Sequence, residues 1–424
     1  MSHITNIKGT KDILPDENVL WKETINLIHN FMSLHGYGLL DTPVFEKTDL
    51  FCRSIGENTD IVSKEMYTWE DRDGTSLTLR PELTAPVIRS YIQNNLGAQS
   101  PINRIYYIGS SFRRERPQKG RQRQFTQYGI EAIGSANAEQ DAEVILIAYK
   151  IYEMLGIENL VVTLNSIGSS EAKSNYTNNL IEYLNPFKNE LSETSQVRLN
   201  SNPLRILDSK SENDKKILES APKIIDSLKK DDLTHFEKVQ NHLSNLGVQY
   251  KIDDRLVRGL DYYNRTTFEI TSQNIGSQDA LCGGGRYDGL IKQLGGKNTP
   301  AVGFAAGMER LMLVLNQLGE QENHAGCVDI YIISIGEDAI SKSLTIANDI
   351  RSELGIRVMT DTLNRSMKAQ MREANKNMAQ FVIIIGEDEI KKGKATIKNM
   401  SDGTQTESDF NQVIKKFGVE YYNK

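Results

Sequence analysis

One stretch, residues 103–134, constrains the fold of this chain more than any other. Residues 105–111 are rich in Ile and Tyr, residues 124–133 alternate in polarity, and a charged loop separates them, so we predict two paired strands. Side chains on a strand point to opposite faces in turn. One face of the second strand is apolar and suits a core: Tyr128, Ile130 and Ala132. The other face is mostly polar and suits the floor of a pocket: Phe125, Gln127, Gly129 and Glu131.

The loop between these strands is strongly cationic. It contains one acid, Glu115, and six positive side chains: Arg113, Arg114, Arg116, Lys119, Arg121 and Arg123. A cationic loop beside a polar strand face suits the binding of phosphate. A solvated basic hairpin on a structural sheet is the alternative, because runs of charge usually face water.

Length and composition narrow the class of protein. The chain has 424 residues, of which 38% are hydrophobic, enough for two or three domains with real cores. No apolar run approaches the roughly 18 residues that span a membrane, and the N-terminus lacks the apolar core of a signal peptide, so we expect a cytoplasmic protein. Because the net charge is −6, any contact with nucleic acid must use local basic patches.

Cysteine and histidine usage argues against two kinds of site. The three cysteines, Cys52, Cys282 and Cys327, are far apart and form no CxxC pair, so we expect buried thiols. The six histidines lie outside the stretches that look chemical: His3, His29, His35, His235, His242 and His324. We therefore expect neither a Ser/His/Asp hydrolase nor a histidine zinc site, and we predict no metal ligands among the side chains.

Further polar residues gather at two places along the chain. Glu82 and Thr84 fall where a predicted strand gives way to a helix, so they would stay exposed at the end of a sheet. Helix capping alone would also explain them. A second group crowds the start of a predicted strand at residues 266–271: Arg258, Asp261, Tyr262 and Tyr263.

A glycine triplet and an isolated arginine complete the candidate chemistry. Residues 283–285 permit close approach of a ligand or of a neighbouring strand. Their spacing matches neither common phosphate-binding loop, and we favour a tight β-turn. Arg310 lies in the first turn of a predicted helix, where a cation works against the helix dipole. Its position indicates an anionic partner such as phosphate.

Two regions differ from the rest in pattern. Residues 169–246 are rich in Asn, Ser, Lys and Glu and read mostly as helix, which is typical of an inserted module. From residue 328 onward strands and helices alternate, which predicts a small α/β domain. One of its helices carries Lys368, Arg372 and Lys376 at i, i+4 and i+8. That stripe suits nucleic acid, or simply a solvated face.

Several stretches taken together resemble histidyl-tRNA synthetases. The resemblance covers the chain from end to end and rests on RPELTAP (80–86), FRRERPQKGRQRQFTQYGIEAIG (112–134), LVRGLDYYNRTTFE (256–269), CGGGRYDGL (282–290) and GFAAGMERL (303–311). KGTKDILP near the start and TPVFE (42–46) resemble the family's opening and its first class II motif. The stretches at 256 and 282 are specific to the histidine enzymes, whereas those at 112 and 303 are shared more loosely by class II synthetases.

The resemblance implies an α+β protein. A class II catalytic domain would lie on an antiparallel sheet and comprise residues 1–168 and 247–320. A helical insertion would occupy residues 169–246, and a C-terminal α/β anticodon-binding domain residues 328–424. The resemblance also implies a homodimer, with the first motif at the interface.

The activity that the resemblance implies is the ATP-dependent ligation of L-histidine to tRNA(His). The carboxylate of histidine would attack the α-phosphate of ATP, which gives histidyl-adenylate and pyrophosphate. The 3′-terminal ribose of the tRNA would then take the histidyl group. Phosphoryl transfer needs alignment and charge neutralisation more than proton transfer, and arginines and Mg²⁺ would supply the positive charge.

The resemblance gives four arginines a role toward the anions. Arg113 would grip the α-phosphate and Arg310 the γ-phosphate. Arg121 would reach the phosphates from the loop. Arg258 would bridge the substrate carboxylate and the α-phosphate, since bidentate arginine suits both anions.

The remaining roles concern histidine and tRNA. By resemblance, the α-amino group would meet Glu82, Thr84 and Gln127. The imidazole would be read by Glu131 and Tyr263, in a pocket that is also lined by Tyr262 and Tyr287. The end of the tRNA acceptor stem would meet Arg116 and Gln118.

The chain departs from the family at Leu83, where glycine is usual. If that position needs a positive φ, leucine is costly and the geometry of the amino-group site changes. The chief alternative is a non-catalytic relative, the synthetase-like regulatory subunit of ATP phosphoribosyltransferase, which lacks catalytic arginines and the anticodon domain. Arg113, Arg258, Arg310 and the additional α/β domain argue against it.

Overall fold

The computed structural model describes residues 3–56, 59–272, 280–319 and 328–422. The chain folds as two compact units: one holds Met1–Ile13 and Leu20–Glu320, and the other holds Leu14–Val19 and Gln321–Lys424. In the described part of the chain, no helix is both long and apolar enough to cross a membrane. His324 and Cys327 lie outside the described residues.

The first unit is built from eleven described strands and from eleven α-helices, of which the first begins in residues 15–19 of the other unit. The strands are β1 (Gly38–Leu39), β2 (Phe45–Lys47), β3 (Tyr67–Glu70), β4 (Ser76–Leu79), β5 (Asn103–Phe112), β6 (Gln124–Ile133), β7 (Leu160–Ser166), β8 (Tyr250–Ile252), β9 (Asn264–Ser272), β10 (Ala280–Arg286) and β11 (Ala301–Gly307). The helices are α1 (Pro15–Leu34), α2 (Thr48–Ile55), α3 (Thr84–Gln93), α4 (Leu96–Gln99), α5 (Ala138–Met154), α6 (Ser170–Leu184), α7 (Glu193–Ser201), α8 (Glu212–Leu218), α9 (Lys230–Asn245), α10 (Leu290–Gln293) and α11 (Met308–Leu318).

A large sheet organises this unit, with the strand order β1-β5-β6-β11-β10-β9-β7-β8. The six inner strands pair antiparallel, as predicted. The outer pairs β1–β5 and β7–β8 are parallel. The predicted hairpin is therefore β5 and β6, and its apolar face joins a core in which Tyr128, Ile130 and Ala132 pack with residues of α5.

The glycine triplet shows that one prediction was wrong. Residues 283–285 do not form a tight turn but lie inside β10, paired with β9 on one side and β11 on the other. The physical reason is close approach of the neighbouring strands, which the sequence indicated only as the second possibility: a Cβ at Gly284 would lie 2.2 Å from the carbonyl oxygen of Gly303, and one at Gly285 would lie 2.4 Å from that of Thr266. Cys282 beside the triplet is buried, as expected, whereas Cys52 is only partly buried.

A buried ion pair ties β10 to α5. The Arg286 side chain has no exposed surface, and its Nη2 lies 2.5 Å from Oδ2 of Asp141, which is equally buried. Nη1 of Arg286 also donates to Oδ1 of Asp288 at 3.0 Å and to the carbonyl of Ser135 at 2.8 Å. Burial alone would raise the pKa of Asp141, but Arg286 and His235 together outweigh it and the pKa is lowered. His235 on α9 approaches the same carboxylate at 3.2 Å.

The second unit is a smaller α/β structure. In chain order its elements are β12 (Ile330–Ser334), α12 (Glu337–Leu354), β13 (Val358–Thr360), α13 (Met367–Lys376), β14 (Phe381–Ile385), α14 (Glu387–Lys392), β15 (Lys394–Asn399), β16 (Gln405–Asp409) and α15 (Val413–Tyr422). The strand order is β13-β12-β14-β15-β16. The alternation from β12 to β14 agrees with the sequence pattern. The antiparallel strands β15 and β16 were not predicted.

Candidate active site

A cleft of about 1430 Å³ opens in the first unit beside the polar face of β6. Nine of the residues predicted from the sequence line it: Glu82, Thr84, Arg113, Arg121, Gln127, Arg258, Tyr262, Tyr263 and Arg310. The other four lie outside this lining. Glu131 and Tyr287 are buried, and Arg116 and Gln118 are exposed on the loop between β5 and β6. The fold thus gathers residues that are up to 228 positions apart in the chain, from Glu82 to Arg310.

The Glu82 carboxylate marks one end of the cleft, where α3 begins. It accepts hydrogen bonds from the backbone N–H of Thr84 at 2.7 Å and of Ala85 at 2.8 Å. Glu82 therefore does stabilise the start of the helix, but Thr84 is not its cap: the N-cap residue is Leu83, and Thr84 is the first residue of α3. Burial raises the pKa of this carboxyl above its ordinary value. A carboxylate holds about four lone-pair sites, so two N–H bonds leave room for a cationic ligand.

Leu83 does not distort this end of the cleft. Its φ is −110°, so the position has no need of glycine and leucine adopts it without strain. The side chain is buried in a cluster with Val87 and Tyr107. Leucine at position 83 therefore leaves the backbone beside Glu82 and Thr84 unstrained.

Two tyrosine hydroxyls hold the Glu131 carboxylate. Oε1 accepts from Tyr107 at 3.1 Å, and Oε2 accepts a short hydrogen bond from Tyr287. The opposite residue on β11 is Gly303, where a Cβ would lie only 1.9 Å from Oε2 of Glu131. Burial raises the pKa of Glu131 to about 8. The strand face predicted as a pocket floor therefore ends in a carboxyl with little access to water.

Three tyrosine rings form an aromatic wall next to this carboxylate. The Tyr262 ring lies 4.7 Å from that of Tyr263 and 5.5 Å from that of Tyr287, between centroids. Burial raises the pKa of Tyr263 to about 12, so its hydroxyl stays protonated at neutral pH. Oη of Tyr262 is buried and has no hydrogen-bond partner among the described residues. An unpaired buried hydroxyl is unfavourable, which suits a site that a polar ligand completes.

Arg258 lies flat against the sheet. Its Nη1 donates to Oε2 of Glu269 on β9 at 2.8 Å. The guanidinium rests over Gly283 on β10, where a Cβ would lie 1.9 Å from Nη2. Within the described part of the chain, the buried Nε has no hydrogen-bond partner. Burial would lower the pKa of Arg258, but Tyr263 and Glu269 outweigh it and raise the pKa.

The loop between β5 and β6 brings two arginines and an acid to the cleft. Glu115 pairs with Arg113 at 3.7 Å and with Arg121 at 3.2 Å. Nε of Arg113 donates to the carbonyl of Pro81 at 2.9 Å, and its guanidinium lies 5.3 Å from the centre of the Phe125 ring. Ion pairs within the loop therefore order the part that faces the cleft. The part that carries Arg116 and Gln118 is exposed, as the alternative of a solvated hairpin predicted.

Arg310 projects from the first turn of α11 into the cleft. Its Nη1 donates to the carbonyl of Ala280 at 2.7 Å. Next to it, Glu309 accepts from the backbone N–H of Thr126 on β6 at 2.8 Å, and burial raises the pKa of Glu309 to about 7. The helix N-terminus therefore carries its favourable acid as well as the cation that the sequence singled out.

Sequence reasoning missed three residues that shape this site. Glu269 anchors Arg258, Tyr107 holds Glu131, and Glu309 joins α11 to β6. Glu269 and Glu309 lie inside the stretches on which the resemblance rests. The sequence offered a signal for each: Glu269 is an acid within a strand, and Glu309 is an acid at the start of a helix. Tyr107 gave none, because an aromatic residue on a strand is usually core.

The described residues contain no group of three or more His, Cys, Asp and Glu side chains that could hold a metal ion. Pairs of carboxylates do occur in the cleft. Glu65 and Glu115 both line it, and burial, followed by the charge of Glu115, raises the pKa of Glu65.

Comparison with known proteins gives consistent matches over the whole chain. A family model for histidyl-tRNA synthetase matches residues 9–311, and one for an anticodon binding domain matches residues 329–419. The histidine–tRNA ligase of Thermoanaerobacter sp. (strain X514) is 44% identical over 96% of this chain and 98% of its own. That of Chloroherpeton thalassium is 46% identical over 98% of this chain and 97% of its own. The apo histidyl-tRNA synthetase of S. aureus, at 35% identity, covers 98% of this chain and 100% of its own with a TM-score of 0.83.

The pKa of Glu131 predicts a pH dependence of stability. The folded chain keeps a proton on this carboxyl up to about pH 8, whereas its ordinary pKa is 4.5. Between these values the folded state binds more protons than the unfolded state, so the free energy of unfolding falls as pH rises. Glu131→Gln removes this contribution. We expect its unfolding free energy to decline less steeply from pH 5 to pH 8, by up to about 1.4 kcal/mol per pH unit.

Urea unfolding of both proteins at several pH values measures this difference in slope. Glu153→Gln, at an exposed carboxylate on α5, is the matched control and should follow the parent chain. Parallel slopes for Glu131→Gln and the parent would contradict the raised pKa.

Proposed function

The chain belongs to the histidyl-tRNA synthetase family and is a histidine–tRNA ligase, and we propose that the cleft beside β6 is where it activates histidine. The reaction joins histidine to ATP with release of pyrophosphate and then transfers histidine to the 3′ end of tRNA(His). One observation carries the proposal. Arg113, Arg258 and Arg310 line the same cleft as the acceptor groups of Glu82 and Gln127. A cleft with anion-binding and cation-binding ends suits an amino acid and a nucleotide together.

The α-amino group of histidine lies, in this proposal, against Glu82, Thr84 and Gln127. The Glu82 carboxylate keeps lone pairs beyond its two backbone bonds, and an ammonium group would relieve the cost of burying it. The Gln127 side chain is oriented by Ser111, whose hydroxyl donates to Oε1 at 3.0 Å. Three acceptors around one site match the three N–H bonds of an ammonium group.

The imidazole ring is assigned to Glu131 and Tyr263, with Tyr262 and Tyr287 completing the pocket. A carboxyl oxygen of Glu131 accepts from one ring N–H, and the hydroxyl of Tyr263 donates to the other nitrogen. Tyr287 and Tyr107 fix the Glu131 carboxylate before the substrate arrives. A buried polar pair also rejects amino acids with apolar side chains, because the pair would then stay unsatisfied.

Arg258 holds the reacting carboxylate. Its Nε is a buried donor without a partner among the described residues, and Glu269 and Gly283 fix the plane of the guanidinium. We assign it to the histidine carboxylate and the α-phosphate together. Its work is alignment of the two reacting groups and neutralisation of their charge, which is what phosphoryl transfer requires.

The phosphates of ATP are assigned to three other arginines. Arg113 takes the α-phosphate, Arg310 the γ-phosphate, and Arg121 reaches them from the loop. ATP-dependent transfer also calls for Mg²⁺, which prefers phosphate oxygens, water and one or two carboxylates. Glu65 and Glu115 both line the cleft. They would hold the ion once the phosphates engage Arg113 and Arg121, which pair with Glu115 in this structure. The ion would supply further positive charge at the phosphates.

Contacts with tRNA are assigned to both units. Arg116 and Gln118 lie exposed on the loop at the cleft and are proposed to meet the end of the acceptor stem. In the second unit, Lys368, Arg372 and Lys376 on α13 are all exposed, which a stripe for the tRNA backbone requires. The reaction belongs to the cytoplasm, where translation uses charged tRNA.

The proposed organisation keeps the boundaries expected from the sequence: a catalytic domain at 1–168 and 247–320, an insertion at 169–246 and an anticodon-binding domain at 328–424. We also propose a homodimer. Its support is an exposed apolar surface around β2, where Phe45 is 52% exposed and its ring lies 6.0 Å from that of Trp69, 40% exposed. Val44, the chain neighbour of Phe45, adds to it with 41% exposure. Such a surface is typical of an interface.

The role of Arg258 is tested by Arg258→Ala in histidine-dependent ATP–pyrophosphate exchange. We expect the exchange rate to fall by about a hundredfold or more, because a preorganised charge on the reacting groups is lost. Arg104→Ala, at an exposed arginine of β5 that does not line the cleft, should keep the parent rate. A folded Arg258→Ala protein with near-normal exchange would refute the assignment. Exchange supported by another amino acid in place of histidine would refute the proposed pocket.

The α13 stripe is tested by Lys368→Glu. We expect the KM for tRNA in the charging reaction to rise by about tenfold, because an attractive contact with phosphate becomes repulsive. ATP–pyrophosphate exchange, which needs no tRNA, should not change. Lys391→Glu makes the same charge change on α14, where the side chain is also exposed. Equal losses in both reactions, or equal effects of both variants, would rule out a role confined to the stripe.

The dimer is tested by Phe45→Glu in sedimentation equilibrium. The parent chain should sediment at about twice its own 47.8 kDa. A charge in a buried apolar interface is costly, so the variant should shift toward the monomer. Leu363→Glu, at a 70% exposed leucine of the second unit, should leave the assembly intact. A fully dimeric Phe45→Glu protein would place the interface elsewhere.

A further inference from the structure

The segment that carries two pocket tyrosines is held in place by the helical region 169–246. We call residues 261–265 the tyrosine segment; it runs from Asp261 through Tyr262 and Tyr263 into β9. The cleft side of this segment faces the proposed histidine pocket. Its other contacts include side chains far away in the sequence, on α6, after α7 and on α9.

Lys173 on α6 makes the central contact. Its Nζ donates to the carbonyl of Asp261 at 2.7 Å and to the carbonyl of Tyr263 at 3.1 Å. The two carbonyls belong to the residue before Tyr262 and to Tyr263, the residue after it. A single ammonium group therefore fixes the backbone on both sides of Tyr262 and at Tyr263 itself. Hydrogen bonds from a charged donor are stronger than neutral ones, and the side chain is half-buried.

Asn202 holds the start of the segment by its side chain. Its Nδ2 donates to Oδ1 of Asp261 at 2.6 Å. Asp261 is also tied through its backbone, because its N–H donates to the carbonyl of Ile55 at 3.3 Å. The first residue of the segment is therefore fixed from the insertion on one side and from the end of α2 on the other.

The end of the segment is held in an unfavourable backbone conformation. Arg265 has a φ of +48°, in the left-handed region that a residue with a Cβ seldom adopts. Its Nε pairs with Oδ1 of Asp232 on α9 at 3.3 Å. Its backbone N–H donates to the carbonyl of Gly168 at 2.7 Å, and its carbonyl accepts from Ile167 at 2.8 Å. Such a conformation persists only where the surroundings impose it.

We propose that Lys173 is a positioning residue for histidine recognition, acting through the backbone of Tyr262 and Tyr263. The inference rests on the proposed function of these two tyrosines in the histidine pocket. Lys173 does not touch the substrate. It sets where the tyrosine hydroxyls lie relative to Glu131, and so it governs affinity for histidine more than affinity for ATP. On this view the helical insertion contributes to amino-acid specificity as well as to the shape of the cleft.

Lys173→Met tests the inference in the ATP–pyrophosphate exchange of the full chain. We expect the KM for histidine to rise about five- to tenfold, since two charge-assisted hydrogen bonds are lost, while the KM for ATP stays within about twofold. Lys173→Arg, which keeps a cationic donor, should recover part of the loss. Lys188→Met removes an exposed lysine of the same helical region and should behave as the parent.

Two further variants separate a failure of the positioning role from a failure of the proposed pocket. Asn202→Ala should raise the KM for histidine in the same direction but less, and it serves if Lys173→Met fails to fold. Tyr263→Phe tests the pocket itself. If Tyr263→Phe raises the KM for histidine but neither Lys173→Met nor Asn202→Ala does, the positioning role is wrong. If Tyr263→Phe leaves that KM unchanged, the proposed pocket fails. Equal rises in both KM values for Lys173→Met would indicate a general structural role and overturn the inference.

Discussion

A single buried ion pair, between Arg286 and Asp141, supports the parts of the site that must be rigid. Neither side chain has any exposed surface. Removing two charges from water is costly, and the pair persists because Asp288 and two carbonyls satisfy the remaining donors of Arg286. Tyr287 follows directly in the chain, and its hydroxyl donates to Glu131. The pair thus fixes the end of β10 to α5, and through one tyrosine it fixes the carboxylate of the pocket.

Two carboxyl groups of the proposed histidine pocket are buried and have raised pKa values. Glu82 and Glu131 both carry this signature, although their surroundings differ. Glu82 is supported by the N–H groups of a helix start, and Glu131 by two phenols. Each is costly to bury in the absence of a cationic or N–H-donating ligand. The pocket is therefore prepared for a substrate that brings such groups, and the arginines opposite are prepared for its carboxylate and for phosphate.

Much of this arrangement could be predicted from the sequence, and each exception has a physical cause. The polarity of β6 gave the pocket floor and the core face, because a period of two is a local property. The glycine triplet favours a turn when only the sequence is considered. In the structure it lies inside β10, because its role depends on the atoms that contact it from neighbouring strands and from Arg258. Gly283 makes room for Arg258 and is paired with strands whose register no local pattern reveals. Tyr107 was missed although its strand was expected to pair with β6, because an aromatic residue on a strand is usually core. Glu269 was missed because no local pattern shows that the chain before β9 turns Arg258 back toward it.

The strand order has a consequence for how the chain is made. One edge of β6 pairs with β5, its immediate predecessor, but the other pairs with β11, so that Ile133 meets Ala301 only after the whole helical insertion has been synthesised. Closing so long a loop is slow compared with forming a hairpin. Until then β6 presents an unpaired edge beside an apolar face, which is the kind of surface that joins to other chains. A nascent chain of this protein therefore spends much of its synthesis with its future active-site floor as an open template, and its yield depends on what shields that edge in the meantime.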